Sequence, residues 1–377
     1  MTLVNKQTID KFVLWRETEG KRIPYDFSIE ITERCNNHCR HCYINKDSND
    51  KAALEKEMPL SQIVDIAEEA VSLGTLWCLL TGGEPLLRRD FVDIFIHLKK
   101  LGLLVNIFSN AATLTPDHMR LFKSYPPRSI EISVYGVSKA TYEHITQTPG
   151  SYAKYLKGLQ LLEDNKIKYH LKTVIMRSNY HEASAIIKYC RERSKELVRY
   201  DPFLCLRYDN DKKNNAIIKR ERLSAEEIVA LEKRDSGRRA EIKKICEGAK
   251  TRSGVGTRVI RCAAGVDSFA ISAAGKYQLC QTLKHPATVY NLKKGRLKYA
   301  WEVFTPKVRS ISSPKGRYLQ SCACCLIVNI CHCCPAIAYL EEGEMDTAIG
   351  YFCDIAHARA MRFGDRKLTQ NLIQPKK

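Results

Sequence analysis

Apolar and polar positions in this chain follow two alternating periods. From Phe27 onward, short runs rich in β-branched and apolar residues alternate with longer stretches of helical period. The runs "FSIEI" (27–31), "LWCLLT" (76–81), "LLVNIFS" (103–109), "SIEISVY" (129–135), "YHLKTVIM" (169–176) and "LVRYDPFLCL" (197–206) predict six strands. Between the first two, "LSQIVDIAEEAVSLG" places Ile63, Ile66, Ala67 and Ala70 on one helical face, with Ser61 as a candidate cap and Gly74 as the stop. Right-handed crossovers wind such βα units into a partial (β/α)6 barrel.

The pattern changes after about residue 210. "LSAEEIVALEKR" (223–234) predicts a helix with a capping box, Ser224 to Glu227. Beyond it "VDSFAIS" and "GKYQLC" predict a hairpin around 273–275, followed by short segments punctuated by cysteine. The expected organisation is an N-terminal extension (1–24), the barrel (25–215), a helical linker (216–250), a smaller cysteine-rich domain (251–360) and a mobile tail (361–377).

Composition changes this picture in two ways. No apolar run is long enough to cross a bilayer, and the charged first thirty residues lack the character of a secretory signal, so the expected location is cytoplasmic, with no membrane partner. Thiols stay reduced there, so the sixteen cysteines point to metal rather than to disulfides. The formal charge of +19 favours an acidic partner. The densest basic stretch, 207–261, lacks the interleaved aromatic residues of a base-stacking platform, which argues against nucleic acid.

Two groups of cysteine carry the candidate chemistry. Cys35, Cys39 and Cys42 form a C-x3-C-x2-C loop after the first strand, at the carboxyl end where barrels bind ligands. Three thiolates hold three irons of a cubane and leave the fourth iron open, whereas zinc with His38 or His41 satisfies the same spacing. The next strand ends in Gly82, Gly83 and Glu84, whose glycines admit close backbone approach.

With these motifs at consecutive strand ends, residues 25–210 resemble the radical S-adenosylmethionine (SAM) enzymes. The resemblance implies that the three cysteines bind a [4Fe–4S] cluster whose free iron chelates the methionine moiety of SAM, and that the Gly82–Glu84 stretch meets its ammonium. It further implies that Tyr43 and the backbone near His41 border the adenine, and that Asn110 and Ser133 contact the cofactor. The chemistry implied is reductive cleavage to a 5′-deoxyadenosyl radical that abstracts a substrate hydrogen. Two departures stand out: His41 precedes the third cysteine where the family has an aromatic or apolar residue, and "SVYG" lacks the Asp of several relatives.

The order Cys262, Cys280, Cys322, Cys325, Cys331, Cys334, Cys353 resembles the SPASM extension of a subset of these enzymes. By that resemblance Cys322, Cys325, Cys331 and Cys353 complete one auxiliary cluster, and Cys262, Cys280 and Cys334 give three ligands to a second, both expected as [4Fe–4S]. Cys331 and Cys334 stand one residue closer than in many relatives, so Cys324 or Cys333 is a substitute. No further cysteine lies between 247 and 261, Cys246 is distant in sequence, and an open iron is expected on the second cluster. Cys78, Cys190 and Cys205 read as buried hydrophobes, and His285, His332 and His357 as satisfied hydrogen-bonding groups. Asp201 and Arg207 are expected at the barrel mouth, in reach of substrate or as a surface ion pair.

The function expected is modification of a peptide or protein, one with an acidic leader included, by crosslinking, oxidation or epimerisation, with a reductant such as flavodoxin or ferredoxin. The 24 residues before the barrel are too few for the leader-binding domain that many such enzymes carry. Two alternatives stand: a small cofactor precursor such as a tetrapyrrole or quinone, and a zinc-containing nucleic-acid-binding protein.

Overall fold

The computed structural model describes residues 20–194, 199–248, 257–332, 334–365 and 368. Six strands lie parallel and in chain order: β1 (Asp26–Thr32), β2 (Trp77–Gly82), β3 (Leu104–Ser109), β4 (Ser129–Val134), β5 (His170–Val174) and β6 (Arg199–Asp201). Residues on β3 and β4 alternate buried with half-exposed, so one sheet face packs under the helices while the other lines the interior. The helix Leu60–Ser72 buries Ile63, Ile66, Ala67 and Ala70, as its periodicity requires. Its cap position is Pro59, which leaves Ser61 inside the first turn. Gly74, at φ 99°, then reverses the chain toward β2.

The sixth strand is shorter than expected. Leu197 and Val198 lie outside the described residues, and the ladder stops at Asp201 because Pro202 has no N–H to donate. The following stretch runs on outside the ladder, and Leu204 and Leu206 are buried.

The sheet does not end at β1. Strand β7 (Ser268–Ile271) pairs parallel with β1, with Phe27 opposite Phe269 and Ile29 opposite Ile271. Strands β8 (Lys276–Gln278) and β9 (Tyr290–Asn291) continue antiparallel, giving the nine-stranded order β9-β8-β7-β1-β2-β3-β4-β5-β6. The hairpin expected around 273–275 therefore forms, and it covers the barrel edge that β1 would otherwise expose. Stacking of Phe27 on Phe269 at 5.3 Å and of Phe269 on Tyr277 at 5.4 Å makes this seam part of the main core.

The capping box of Ser224 and Glu227 starts the helix Ala225–Arg234. That helix packs on Gly350–Phe363 through a buried ion pair in which the Arg359 guanidinium grips both oxygens of Glu232. Arg359 also donates to the Ile330 carbonyl, which fixes the end of the cysteine-rich loop.

Candidate functional site

The loop carrying Cys35, Cys39 and Cys42 leaves β1 and is held from three sides. On the first, Gly82 and Gly83 bring the end of β2 against its root: Gly83 N donates to Thr32 O at 2.8 Å and Glu84 N to Arg34 O at 2.9 Å. A Cβ on Gly82 would lie 2.1 Å from Thr32 O, and one on Gly83 2.3 Å from Arg34 O. What these glycines approach is thus the backbone that launches the cysteine loop. On the second side, Glu57 accepts from Thr32 Oγ1 and from Arg34 Nε and Nη2. On the third, Arg207 reaches in from beyond β6 and donates to Cys42 O at 3.2 Å and to Asn45 Oδ1 at 2.8 Å.

Arg207 is buried, and the rest of its guanidinium is taken by both oxygens of Asp209. Asp201 does stand exposed at the end of β6. Glu84 is fully buried and its carboxylate accepts from Ser109 Oγ, Asn110 N and Leu86 N, tying the ends of β2 and β3 together. Burial lifts its pKa to about 7 against those hydrogen bonds.

The three thiols face a common interior. Burial raises all three; a charge at Cys42 raises Cys35 further, and charges at Cys42 and Cys35 raise Cys39 further, so the three stand within electrostatic reach of one another. Cys35 accepts from Asn37 N at 3.4 Å and from Asn110 Nδ2 at 3.7 Å, and Cys42 from Asn45 N at 3.3 Å. The Tyr135 hydroxyl lies between Ser133 and the Cys39 thiol, where its hydrogen bond favours the thiolate. Ser133 and Asn110 therefore both border the cysteine loop. His41 is half-buried, edge-on to Tyr135 at 4.9 Å, with Nδ1 inaccessible and unpartnered among the described residues, and desolvation lowers its pKa to about 4, which leaves it neutral. Tyr43 stacks at 4.6 Å on Tyr208.

The same signature marks the C-terminal thiols. Cys280 accepts backbone N–H groups of Thr282 and Leu283, Cys325 that of Ile327, and Cys334 those of Ala336 and Ile337 at the start of the helix Pro335–Glu342. Cys78 and Cys190 receive no such bonds in the described structure and are fully buried, as expected of structural thiols, whereas Cys205, expected to be like them, is only partly buried; Cys246 is buried too, with Arg359 and Glu232 acting on it. Cys322, Cys325 and Cys353 interact electrostatically, and Cys331 hydrogen-bonds Cys353, bringing its pKa to about 7. Cys262 and Cys334 both act on Cys280. Cys324 instead turns its thiol to Gln320 O at 3.0 Å, and Cys333 lies outside the described residues.

None of the described cysteines is in a disulfide, and among the described residues no three His, Cys, Asp or Glu side chains converge closely enough to grip one metal ion. The donor set of the first loop, three thiols steadied by N–H and O–H donors, fits a cluster with one unligated corner.

A profile of the Radical SAM superfamily matches residues 29–190, from β1 to the helix before β6. The matched segment is a radical SAM domain. The chain accordingly carries the domain of the radical SAM enzymes, which use SAM and a [4Fe–4S] cluster. It is 22% identical over 339 residues to the AdoMet-dependent heme synthase of Methanosarcina barkeri, covering 84% of this chain and 92% of that protein. Similarity to the GTP 3′,8-cyclase of Clostridium perfringens (28%) and the PqqA peptide cyclase of Methylocella silvestris (26%) covers 43% and 44% of this chain, and the chain spans less than half the length of those relatives. The fold is shared with native anSMEcpe with bound AdoMet (TM-score 0.64, 14% identity, 93% of this chain and 100% of that one). It is shared too with Streptococcus suis SuiB bound to precursor peptide SuiA (TM-score 0.61, 15% identity, 89% and 76%). No helix among the described residues is long and apolar enough to cross a membrane.

Sequence reasoning missed the residues that hold this radical SAM site in shape. Arg34, Glu57 and Tyr135 act through contacts distant in sequence, and no local motif announces them.

Proposed function

We propose that this radical SAM enzyme abstracts a hydrogen from an acidic peptide or protein. The supporting observation is a cavity of about 850 Å³ between the cysteine loop and the β7–β8 hairpin, with Tyr43 and Tyr208 on one wall and Lys46, Lys56, Lys276, Lys284 and Lys293 around it. Lys46 is paired with Asp209, and Lys284 lies 3.7 Å from Glu30 and over the Tyr208 ring. Even with Glu33 and Asp209 counted, the lining is cationic, and it suits carboxylates.

In this reading Cys35, Cys39 and Cys42 hold the cluster, while the backbone of Gly82, Gly83 and Glu84, with Tyr43, Asn110 and Ser133, positions SAM. The bound cluster and SAM supply the one-electron cleavage and the hydrogen-abstracting power, fed by a reductant such as flavodoxin or ferredoxin. The chain's own contribution is orientation and exclusion of water by the half-buried Tyr43–Tyr208 wall. Cys322, Cys325, Cys331 and Cys353 would hold one auxiliary cluster, and Cys262, Cys280 and Cys334 a second.

A tetrapyrrole is the second reading, favoured because the heme synthase relative is matched over 92% of its length. The test is anaerobic reconstitution with a strong reductant, following 5′-deoxyadenosine with peptides encoded beside the gene and, separately, with tetrapyrrole carboxylates. A mass change on a peptide supports the first reading. Turnover of a tetrapyrrole alone replaces it, and no 5′-deoxyadenosine from a fully loaded preparation overturns both.

A further inference from the structure

The lysines around the cavity beside the β7–β8 hairpin are not equivalent. Lys56, Lys276 and Lys293 are exposed, and their ammonium groups meet no carboxylate or other acceptor among the described residues. Against them stands one lining carboxylate without a described cation, Glu33. Lys46 is held by Asp209 at 2.8 Å.

Lys284 is built into the floor. Its side chain is only 16% exposed, and Nζ donates to Gln278 Oε1 at 3.0 Å while lying 4.5 Å over the Tyr208 ring. Gln278 is buried and donates from Nε2 to Leu283 O at 3.3 Å, so one amide fixes both the ammonium and the backbone that carries it. Tyr208 stacks in turn on Tyr43, the residue after Cys42, which puts Lys284 at the end of the cavity nearer the cysteine loop.

Behind Lys284 stands Glu30. It lies on the face of β1 opposite Ile29 and Ile31, which enter the core, and so belongs to the barrel interior. The residue is 1% exposed, and its Oε1 has no hydrogen-bond partner among the described residues. A carboxylate buried in this way needs a partner, and Lys284 Nζ, 3.7 Å from Oε2, is its one ion-pair partner among the described residues. Burial raises the Glu30 carboxyl and Lys284 draws it back down.

Charge is thereby divided between rim and floor. A substrate carboxylate brought to Lys284 would also stand close to Glu30, and like charges at that range repel. An uncharged peptide unit meets no such opposition: its carbonyl accepts from the ammonium hydrogens that Gln278 leaves, while Glu30 keeps the pair neutral. At the rim only Glu33 opposes a carboxylate.

We propose that Lys56, Lys276 and Lys293 bind an acidic run of the peptide at the rim, whereas Lys284, positioned and neutralised by Glu30, receives the carbonyl of an uncharged residue at the floor. The acidic segment and the residue presented to the cysteine loop are then separate parts of the substrate. The inference rests on the reading that this cavity takes an acidic peptide.

The experiment uses the full chain and fluorescein-labelled hexaglutamate, with hexaglutamine as the uncharged control, in fluorescence anisotropy at low and moderate salt. Replacing Lys56, Lys276 and Lys293 together by Gln should weaken hexaglutamate about tenfold and flatten its salt dependence. Lys284→Gln should leave that affinity within about twofold, because the charge removed was already compensated. Glu30→Gln, nearly isosteric, should tighten hexaglutamate about threefold, since Lys284 then faces the cavity uncompensated, and a merely structural role for Glu30 would not move binding in that direction. A loss in Lys284→Gln as large as in the rim variant overturns the proposal. Unchanged binding in the rim variant does so too, as does unchanged or weaker binding in a folded Glu30→Gln. Should Lys284→Gln fail to fold, the direction of change in Glu30→Gln decides. A native chain that ignores hexaglutamate yet modifies a peptide encoded beside the gene overturns this inference alone. One that binds as described but modifies no peptide supports the division of charge and overturns the reading on which it rests.

Discussion

Arg207 offers the sharpest test of how the cysteine loop is held. Replacing it with Ala removes donors to Cys42 O, Asn45 Oδ1 and Asn45 O together with the paired contacts to Asp209. Asp209 keeps Lys46 at 2.8 Å and the Asp211 amide at 3.3 Å, and loses the first cause of its depressed pKa. Charged hydrogen bonds are worth about 1.5–3 kcal/mol each, and breaking a buried pair costs about 3–5 kcal/mol, so the loop should lose several kcal/mol of preference for its native path. Cys42 follows that path directly. The expected result is loss of about four irons per chain, with 5′-deoxyadenosine formation falling in step, and little rescue by Arg207→Lys because an ammonium cannot span the carbonyl and both carboxylate oxygens. Iron analysis, sulfide analysis and SAM cleavage without substrate measure this. A substrate contact would behave otherwise: full iron, normal cleavage and only a raised KM in Arg207→Ala would refute the argument.

Other consequences follow from the same contacts. Gly83→Ala forces a Cβ against Arg34 O and should cost about 1–3 kcal/mol and the N-terminal cluster, read by thermal denaturation and iron content; a fully loaded variant of normal stability would contradict the role given to this glycine. Asp26, at the β1–β7 seam, is lifted to about 6 by burial and then by Asp267. Its folded pKa exceeds its unfolded value near 3.8, so the folded chain binds the extra proton between these values and stability falls as pH rises through that window. After a discount for partial exposure, Asp26→Asn should stabilise by about 1–2 kcal/mol at pH 8 and by almost nothing at pH 4, which chemical denaturation at the two pH values checks. Arg359→Met should cost about 3–5 kcal/mol by stranding Glu232, and the double change with Glu232→Gln should recover much of it, as a double-mutant cycle will tell.

Much of the fold was legible because it is written locally. Period-two runs marked β1 to β5, the 3.6 period marked the helix Leu60–Ser72, and Ser224 with Glu227 marked a helix start. The cysteine loop and the Gly-Gly-Glu stretch were legible as motifs, since both lie within a few residues. What remained hidden depends on pairs far apart in sequence. Nothing in "SFAI" says that it will pair with β1 rather than close its own small sheet, and nothing near Arg207 points toward Cys42. Pro202 did forecast the early end of β6, but the apolar residues on either side masked its effect.

The pairing of β7 with β1 carries the largest consequence for function. A barrel of six strands leaves the outer edge of β1 open, and that edge lies beside the root of the cysteine loop. Because the hairpin docks there in parallel register, its far strand brings Lys276 and Gln278, and the turn after it brings Lys284, to the wall opposite Tyr43. The cavity is therefore shaped jointly by the radical SAM domain and by the cysteine-rich region. A change at the seam, such as Phe269→Ala, removes stacking on both Phe27 and Tyr277 and should widen the cavity as well as destabilise the core by about 3–5 kcal/mol. It follows that substrate selection and the fit of the C-terminal region on the barrel cannot be altered independently. A seam variant that kept its stability loss but discriminated between substrates as the native chain does would break that link.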